Sequence, residues 1–268
     1  MNRQTIAALN RINRSFYQLR SEDFSRTRKS SWPGWARVIS AFQERRSTIA
    51  AEGRASIVDV GCGNGRFRDY MGSRVQSKMR YVGIDASLPL LAEARRSGAG
   101  STSVDTALVA ADLVTDRALG SLRSSCFDLA VAFGLLHHIP SRQARLRLLT
   151  ALASCLRPTG MMAVSFWQFG EHQRYLQRSV SWADYNRQAE EPIEMSELEE
   201  GDMVLTWGEP ATGETPKLSS AVRFCHFTNA KEAKQLVSSL PLQLIAGFTS
   251  DGEGGRQNLY YLLEKPRE

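Results

Sequence analysis

Three glycines stand at the point where a strongly apolar segment of the sequence ends. Residues 57–60 have the composition of a buried strand, and Gly61, Gly63 and Gly65 follow at alternate positions. Glycine tolerates positive φ angles and has no Cβ, so this segment can turn sharply and bring its backbone close to a ligand. The amino terminus of the helix expected next favours negatively charged ligand groups. The pattern predicts a nucleotide-like cofactor at the carboxyl end of a parallel strand.

A carboxylate follows at a distance typical of ribose recognition. Asp85 ends the second predicted strand, about 20 residues after Gly65, and its oxygens can accept hydrogen bonds from ribose hydroxyls. The dehydrogenase fingerprint Gly-x-Gly-x-x-Gly needs its third glycine at position 66, where this chain has Arg66. The spacing therefore argues against NAD. A glycine turn that binds no cofactor, in an ordinary α/β protein, is the structural alternative.

Two adjacent histidines, His137 and His138, directly follow the fourth predicted strand. Successive side chains usually point apart, so one of them at most is expected to face the site. That histidine would orient a substrate or act as a base, and a purely structural histidine is the alternative. No other ligand cluster stands near the pair in sequence, so no metal site is predicted.

Alternating predicted strands and helices would position these residues. Strands are predicted at about 56–60, 80–85, 106–110, 127–133 and 161–167, with helices between them. This alternation is typical of a doubly wound parallel sheet. Residues 243–248 and 258–263, joined by a glycine-rich loop, predict a hairpin. The predicted fold is α/β and Rossmann-like, a mostly parallel seven-stranded sheet with a C-terminal antiparallel hairpin.

The segments outside this alternation suggest a division of the chain. Helices are predicted at 4–18 and 34–48, and residues 1–50 are interpreted as an N-terminal helical basic arm or cap. Residues 51–268 form the main domain. Within it, residues 168–220 break the alternation and predict an insertion, either a lid over the active site or a surface loop.

The net charge of +6 comes from the amino-terminal region, since residues 1–46 contain ten Lys/Arg and three Asp/Glu. This surplus is either a solvated helix face or a surface that contacts nucleic-acid phosphates. No apolar stretch is long enough to span a membrane. The four cysteines have no metal-like spacing, and a reduced, cytoplasmic protein is expected.

The glycine motif, written Asp59-x-Gly61-x-Gly63-x-Gly65, resembles motif I of the class I S-adenosylmethionine (SAM) methyltransferases. A narrower resemblance is to the methyltransferases that complete 5-methoxycarbonylmethyluridine at the tRNA wobble position. The segments that carry it are Phe24-Ser25-Arg26-Thr27-Arg28, Trp32-Pro33, Leu136-His137-His138-Ile139, residues 201–207 and residues 223–227.

This resemblance implies the site residues. Asp85 would bind the ribose, Asp112 the adenine edge, and Phe133 would lie near the sulfonium. The implied cofactor-binding residues are Arg28, for the methionine carboxylate, with Asp59, Gly61, Gly63, Gly65, Asp85, Ala86, Asp112, Leu113 and Phe133. Arg26, Trp32 and Trp207 would bind the substrate, while His137, His138, Arg223 and His226 would position it for catalysis.

The resemblance also implies a reaction, in which a carboxymethyl carboxylate on uridine attacks the methyl group of SAM. A carboxylate is already ionised near neutral pH, so no strong base is needed. The implied partners are tRNA and a small zinc-ribbon activator protein. Thr206 and Cys225 depart from that family, which often has proline and an aromatic residue there. A SAM-dependent O- or N-methyltransferase of a small molecule, and a module that binds SAM without catalysis, are the competing hypotheses.

Overall fold

The computed structural model describes residues 1–28, 30–48, 53–75, 77–98, 103–114, 125–208 and 221–267. The main sheet contains β1 (Ala55–Val60), β2 (Met79–Asp85), β3 (Val104–Ala110), β4 (Phe127–Ala132), β5 (Leu156–Trp167), β9 (Gln243–Ser250) and β10 (Asn258–Glu264). A second sheet contains β6 (Ser179–Val180), β7 (Asp202–Thr206) and β8 (Val222–His226).

The main sheet has the strand order β3-β2-β1-β4-β5-β10-β9. Strands β1 to β5 run parallel. Strand β10 lies antiparallel between β5 and β9, and it forms the terminal hairpin with β9. The predicted α/β fold, a mostly parallel seven-stranded sheet with a C-terminal hairpin, is confirmed.

Helices surround this sheet and supply the rest of the framework. They are α1 (Arg3–Thr27), α2 (Pro33–Thr48), α3 (Arg66–Gly72), α4 (Leu88–Ser97), α5 (Arg142–Cys155), α6 (Gln173–Leu176), α7 (Trp182–Gln188) and α8 (Ala230–Ser238). Short 3-10 helices span Leu136–His138, Phe169–Glu171, Met195–Glu197 and Glu253–Gly255. None of the described helices is long and apolar enough to cross a membrane.

The local sequence explains where these elements begin and why β1 is central. Every residue of β1 is buried, because apolar clusters cover both faces of the sheet. Ser87 caps α4 by accepting a hydrogen bond from the backbone N–H of Leu90. Asn229 caps α8 in the same way through the N–H of Glu232.

Two elements extend further than the sequence predicted. Helix α1 continues to Thr27, across non-helical dihedral angles at Arg20, so the segment containing Arg26 is helical. Strand β5 begins at Leu156 and therefore includes Pro158. Pro158 lies in the exposed first part of the strand, where a missing backbone donor is tolerated.

The segment predicted as an insertion carries its own secondary structure. Strands β6, β7 and β8 form a three-stranded antiparallel sheet, and α1 packs against β8. This second sheet therefore places residues 222–226, beyond the predicted insertion, beside the amino-terminal helix. The predicted domain boundary at residue 50 and the insertion end at residue 220 lie outside the described residues.

One buried carboxylate ties the terminal hairpin to α2. Asp251 accepts hydrogen bonds from Gly34 N–H at 2.8 Å, Asn258 Nδ2 at 2.8 Å and the Tyr260 hydroxyl at 2.5 Å. Its φ angle is +69°, in the left-handed region that asparagine also tolerates. Position 34 must be glycine, because a Cβ there would lie 2.6 Å from the Tyr260 ring.

We expect Asp251→Ala to lower the free energy of unfolding by about 2–3 kcal/mol, since it leaves buried donors without an acceptor. For a chain of this size the melting temperature should fall by roughly 4–12 °C. Differential scanning fluorimetry measures this shift. Asp251→Asn is the control, because it keeps an acceptor and the φ angle. Equal melting temperatures for Asp251→Ala and the native chain would contradict the role of Asp251.

Candidate functional site

A cavity of about 460 Å³ lies at the carboxyl ends of β1, β2 and β4, beneath α1. It is where the sequence predicted a cofactor, since the ends of parallel strands meet at one edge of the sheet. Most of the predicted site residues line it: Arg28, Trp32, Asp59, Gly61, Gly63, Asp85, Ala86, Asp112, Leu113, Phe133, His137, His138 and Arg223. Gly65, Arg26, Trp207 and His226 lie outside its lining.

The glycine turn at the end of β1 adopts the predicted conformation. Gly61, Gly63 and Gly65 have φ angles of +74°, +54° and +81°. A Cβ at Gly61 would lie 3.0 Å from the side chain of Leu135. Gly65 is the residue that precedes α3, and it serves the turn rather than the cavity wall.

Asp85 connects the glycine turn to α4. Its Oδ2 accepts a hydrogen bond from Gly63 N–H at 2.8 Å, and its Oδ1 accepts one from Ser87 N–H at 2.8 Å. Burial raises the pKa of Asp85, while these backbone N–H groups oppose the shift. Each oxygen has a further lone pair, so the carboxylate can accept from a diol in the cavity.

Asp59 is the polar exception within β1, and it is 3% exposed. The Tyr81 hydroxyl donates to its Oδ2 at 2.6 Å. Burial raises the pKa of Asp59 to about 7, with the Tyr81 hydrogen bond acting in the opposite direction. Asp59 therefore changes charge near neutral pH and would gain from a cationic ligand.

Asp112 lies at the far end of the cavity, where α1 reaches the sheet. Its Oδ1 accepts from Val114 N–H at 3.0 Å, and its Oδ2 accepts from Asn10 Nδ2 at 2.7 Å. Arg14 Nη1 lies 3.9 Å from the same Oδ2. Two residues of α1 thus cover the position where the adenine edge is predicted.

The two histidines after β4 are both buried and both electrically neutral. Burial lowers the pKa of His137 well below its usual value and that of His138 to about 3. The His137 ring packs 5.0 Å from Trp167, and its Nδ1 is buried without a partner among the described residues. Neither histidine can act as a cation near neutral pH.

The His138 ring uses both of its nitrogens. Nδ1 lies 3.0 Å from the carbonyl oxygen of Phe224, which can only accept, so Nδ1 carries the proton. Nε2 therefore accepts from the Tyr17 hydroxyl at 2.9 Å. His137, His138 and Cys225 bring their ligand atoms within 4.8 Å of one another. Burial raises the pKa of Cys225 to about 12, so its thiol is protonated near neutral pH.

Arg223 is 5% exposed and sits among aromatic rings. Its guanidinium carbon lies 5.0 Å from the ring centroid of Trp167, 5.1 Å from that of Trp207 and 5.6 Å from that of Phe16. Its Nε is buried without a hydrogen-bond partner, and none of the described carboxylates forms an ion pair with it. A buried cation with an unused donor fork is suited to bind an anion.

Arg28 also lines the cavity and lies near the same tryptophan, Trp207, as Arg223. Its guanidinium carbon lies 5.5 Å from the Phe24 ring and 5.9 Å from the Trp207 ring. Burial and the charge of Arg223 lower the pKa of Arg28. Trp207 contacts both guanidinium groups, so it supports the two arginines from outside the cavity. We define Arg28, Arg223 and Trp207 as the cationic cluster.

His226 does not reach the cavity, although it was predicted to position the substrate. Its Nδ1 lies 2.7 Å from Asp202 Oδ1, and its Nε2 lies 3.0 Å from Glu232 Oε2. Burial disfavours the charged ring, but these carboxylates outweigh it and raise the pKa of His226. Arg145 Nη2 donates to Glu232 at 2.9 Å and to Glu199 at 2.7 Å. This network fastens β8 to α5 and α8.

Arg26 also points away from the cavity, since it is exposed and pairs with Asp23 on the same helix. Trp32 lies at the cavity wall, where a Cβ at Gly134 would come within 3.0 Å of its ring. The polar residues that α1 contributes to the cavity were not predicted. Asn10, Asn13, Arg14, Tyr17 and Gln18 line the cavity, and their spacing of three and four residues was the available signal.

Residues 57–160 match the family model described as "Methyltransferase domain". These residues contain the glycine turn, Asp85, Asp112 and both histidines. Over these residues the chain is similar to methyltransferase domains.

The chain is similar to curated proteins with related names. It is 26% identical over 171 residues to "Probable tRNA methyltransferase 9B" of Homo sapiens, which covers 64% of this chain and 32% of that protein. It is 26% identical over 197 residues to "tRNA (carboxymethyluridine(34)-5-O)-methyltransferase" of Saccharomyces cerevisiae, covering 74% of this chain and 56% of that protein. The chain spans about a third of the length of the human relative.

Solved structures share the fold of this chain. The Burkholderia thailandensis 1,6-didemethyltoxoflavin-N1-methyltransferase superimposes with a TM-score of 0.60 at 15% identity, covering 97% of this chain and 90% of that one. A SAM-bound amino pentose methyltransferase from Micromonospora echinaspora gives 0.57 at 19% identity, covering 91% and 95%. These likenesses establish the class I methyltransferase fold.

The residues of the cavity fit SAM. The glycine turn leaves room for a ligand against the backbone, Asp85 presents lone pairs for a ribose diol, and Asp112 lies beyond it for an amine. Asp59 is a buried carboxylate whose charge an ammonium group would stabilise. These features occur in the order in which SAM presents its adenine amine, ribose and amino-acid tail.

We expect the affinity for SAM to rise about tenfold between pH 6 and pH 8, because the ammonium group favours ionised Asp59 and the pKa of Asp59 is about 7. The sign follows from burial, since Asp59 is largely protonated at pH 6 and must lose its proton when SAM binds. Titration calorimetry at pH 6, 7 and 8 measures the slope. Asp59→Asn should remove this dependence of the SAM affinity on pH. If the dependence remains in this variant, Asp59 is not the group that binds the ammonium of SAM.

Proposed function

We propose that the protein is a SAM-dependent methyltransferase that modifies tRNA, with the carboxylate of 5-carboxymethyluridine at the wobble position, or a related group, as the acceptor. SAM supplies an electrophilic methyl group when it is bound. The chain's own residues then hold the acceptor, align it and exclude water from the cavity.

The cationic cluster is the observation that carries this proposal. The acidic groups in the described part of the cavity are Asp59, Asp85 and Asp112, and all three lie at the predicted cofactor positions. Arg28 and Arg223 have no carboxylate partner among the described residues. A guanidinium binds a carboxylate through two parallel hydrogen bonds. SAM has one carboxylate, so two unpaired arginines suit an acceptor that is also an anion.

The weakness of the two histidines as bases supports the same acceptor. Burial lowers the pKa of both histidines, so each holds a proton poorly, and the lone pair of His138 Nε2 is occupied by Tyr17. A carboxylate acceptor is ionised near neutral pH and needs only to be positioned. A hydroxyl or protonated amine would need a group that removes its proton.

The names of the relatives support tRNA as the acceptor molecule, at 26% identity. Trp32 lines the cavity, and Trp207 lies at its cationic end, where either ring suits stacking on an unpaired base. The proposal includes action in the cytoplasm and a small zinc-ribbon activator protein as a partner.

A small-molecule acceptor is the second candidate, and the pairing of the amino-terminal arginines favours it. Arg11 pairs with Glu191, Arg26 with Asp23, Arg45 with Glu264 and Arg46 with Asp128. Part of the charge that predicted a phosphate-contacting surface is therefore neutralised within the chain. The structural neighbours named above are methyltransferases of an amino pentose and of didemethyltoxoflavin.

Purified protein incubated with methyl-labelled SAM separates the two candidates. We expect label to enter tRNA that contains carboxymethyluridine and to be released by mild base, as a methyl ester is. Tests with and without a zinc-ribbon activator determine whether a second subunit is required. Labelling of a small-molecule extract, with none of the tRNA pools labelled under either condition, would overturn the tRNA proposal.

A further inference from the structure

His138 connects three parts of the molecule that are distant in sequence. It belongs to the 3-10 helix that follows β4, and its carbonyl oxygen accepts from Asn13 Nδ2 of α1 at 3.3 Å. Its ring accepts from the Tyr17 hydroxyl of α1 and donates to the Phe224 carbonyl of β8. The histidine therefore links α1 to β8 through the core domain.

Both of the elements that His138 links also adjoin the cationic cluster, because β8 contains Arg223 and Arg28 directly follows α1. Phe224 directly follows Arg223 in β8. Phe16 directly precedes Tyr17 in α1, and its ring lies 5.6 Å from the Arg223 guanidinium. Phe224 also packs in one apolar cluster with Leu9 and Ile12 of α1. A shift of either element at His138 would move Arg223 relative to the cavity.

The hydrogen bonds of His138 leave it no atom for acid–base work. The Phe224 carbonyl fixes the proton on Nδ1, and the Tyr17 hydroxyl occupies Nε2. Burial raises the pKa of Tyr17 to about 12, so the phenol keeps the proton that it donates. A base needs a free lone pair within reach of the acceptor, and His138 has none.

We infer that His138 is a positioning residue, which holds α1 and β8 together so that Arg223 faces the acceptor. This inference rests on the proposed function for its kinetic consequence. The link itself, Tyr17 to His138 to Phe224, is independent of which acceptor is methylated.

Tyr17→Phe, His138→Asn and the double variant test the link. Tyr17→Phe removes the donor to Nε2. His138→Asn removes Nε2 but keeps an amide that can donate to the Phe224 carbonyl. Tyr261→Phe is the matched control, because Tyr261 is also buried and lies outside the cavity lining.

We expect each single variant to raise the KM for the tRNA acceptor by roughly fivefold to tenfold, while kcat changes less than threefold. The double variant should resemble either single variant, because both remove the same hydrogen bond. The dependence of kcat on pH should keep its native shape. If His138→Asn alone lowers kcat at least 100-fold and alters the pH profile, His138 is a base and the inference is overturned.

Hydrogen exchange tests the link without any acceptor. In Tyr17→Phe and in His138→Asn, the amides of residues 10–17 should exchange about fivefold faster than in Tyr261→Phe, because α1 has lost its hydrogen bond to His138. Native exchange rates in both variants would overturn the positioning role. If the native protein methylates no tRNA but these rates change, the proposed function fails while the link stands.

Discussion

Asp85→Ala is expected to weaken SAM binding by more than about 100-fold. A carboxylate that accepts from both ribose hydroxyls contributes about 3 kcal/mol or more through charge-assisted hydrogen bonds. Asp85 also orders the glycine turn, because it accepts from Gly63 N–H at 2.8 Å and from Ser87 N–H at 2.8 Å. Removing it therefore affects the ligand directly and also releases the turn against which the ligand packs.

Titration calorimetry with SAM measures the loss, and circular dichroism confirms that the variant is folded. Asp85→Asn keeps one acceptor oxygen and should give an intermediate affinity. Asp105→Ala is the matched control, since Asp105 lies in β3, is exposed and pairs with Arg54. Native affinity in a folded Asp85→Ala protein would refute the cofactor assignment.

Arg223→Lys is expected to lower kcat/KM for the tRNA acceptor by about 100-fold, and Arg223→Ala by about 1000-fold. Lysine keeps the charge but loses the planar fork that binds a carboxylate through two hydrogen bonds. The aromatic rings around Arg223 make each lost hydrogen bond more costly, because they exclude water from the cationic cluster.

The affinity for SAM should change less than threefold in these variants, because Arg223 is assigned to the acceptor. Arg256→Lys is the control, since Arg256 is exposed in the loop of the terminal hairpin. Steady-state methylation and calorimetry separate the two ligands. Loss of SAM binding in Arg223→Lys with unchanged acceptor KM would place Arg223 at the methionine carboxylate instead.

The main sheet and the glycine turn were predictable because their signals are local. Residues 57–60 carry the continuous apolar run of a doubly covered strand, and the glycines directly after it have the positive φ angles that the turn requires. The position of Asp85 beside the glycine turn was also predictable, because the carboxyl ends of neighbouring parallel strands lie together.

The second sheet was not predictable, because its strands are short and its pairing is distant. Strand β6 has two residues, and β7 and β8 have five residues each. Such segments carry little periodicity, and their pairing depends on a tertiary fold that buries them against α1. Arg223 lies in this sheet. Its role at the site was therefore predicted only from the resemblance.

Distant pairing also explains why His226 was placed at the substrate. Its carboxylate partners, Asp202 and Glu232, stand 24 and 6 residues away in sequence, and Glu199 and Arg145 complete the network. A histidine three residues after an arginine in one strand gives no sequence signal for this network. The ionic network is visible only when β7, β8, α5 and α8 are assembled.

Charge composition has the same limitation. The amino-terminal surplus predicted either a solvated helix face or a surface for nucleic acid, but Arg45 pairs with Glu264 and Arg46 lies beside Asp128. Those partners come from distant parts of the chain, so counting charges by segment overstated the free positive surface. The two arginines of the cationic cluster, together with Arg66, remain as positive groups at the site.

Nucleoside analysis of tRNA from a strain lacking this chain shows directly whether the chain methylates tRNA. We expect 5-carboxymethyluridine to accumulate at the wobble position and its methyl ester to disappear. The native chain should restore the ester, while Asp85→Ala and Arg223→Ala should not. A nucleoside profile identical to that of the parent strain would contradict the claim that this cavity methylates tRNA.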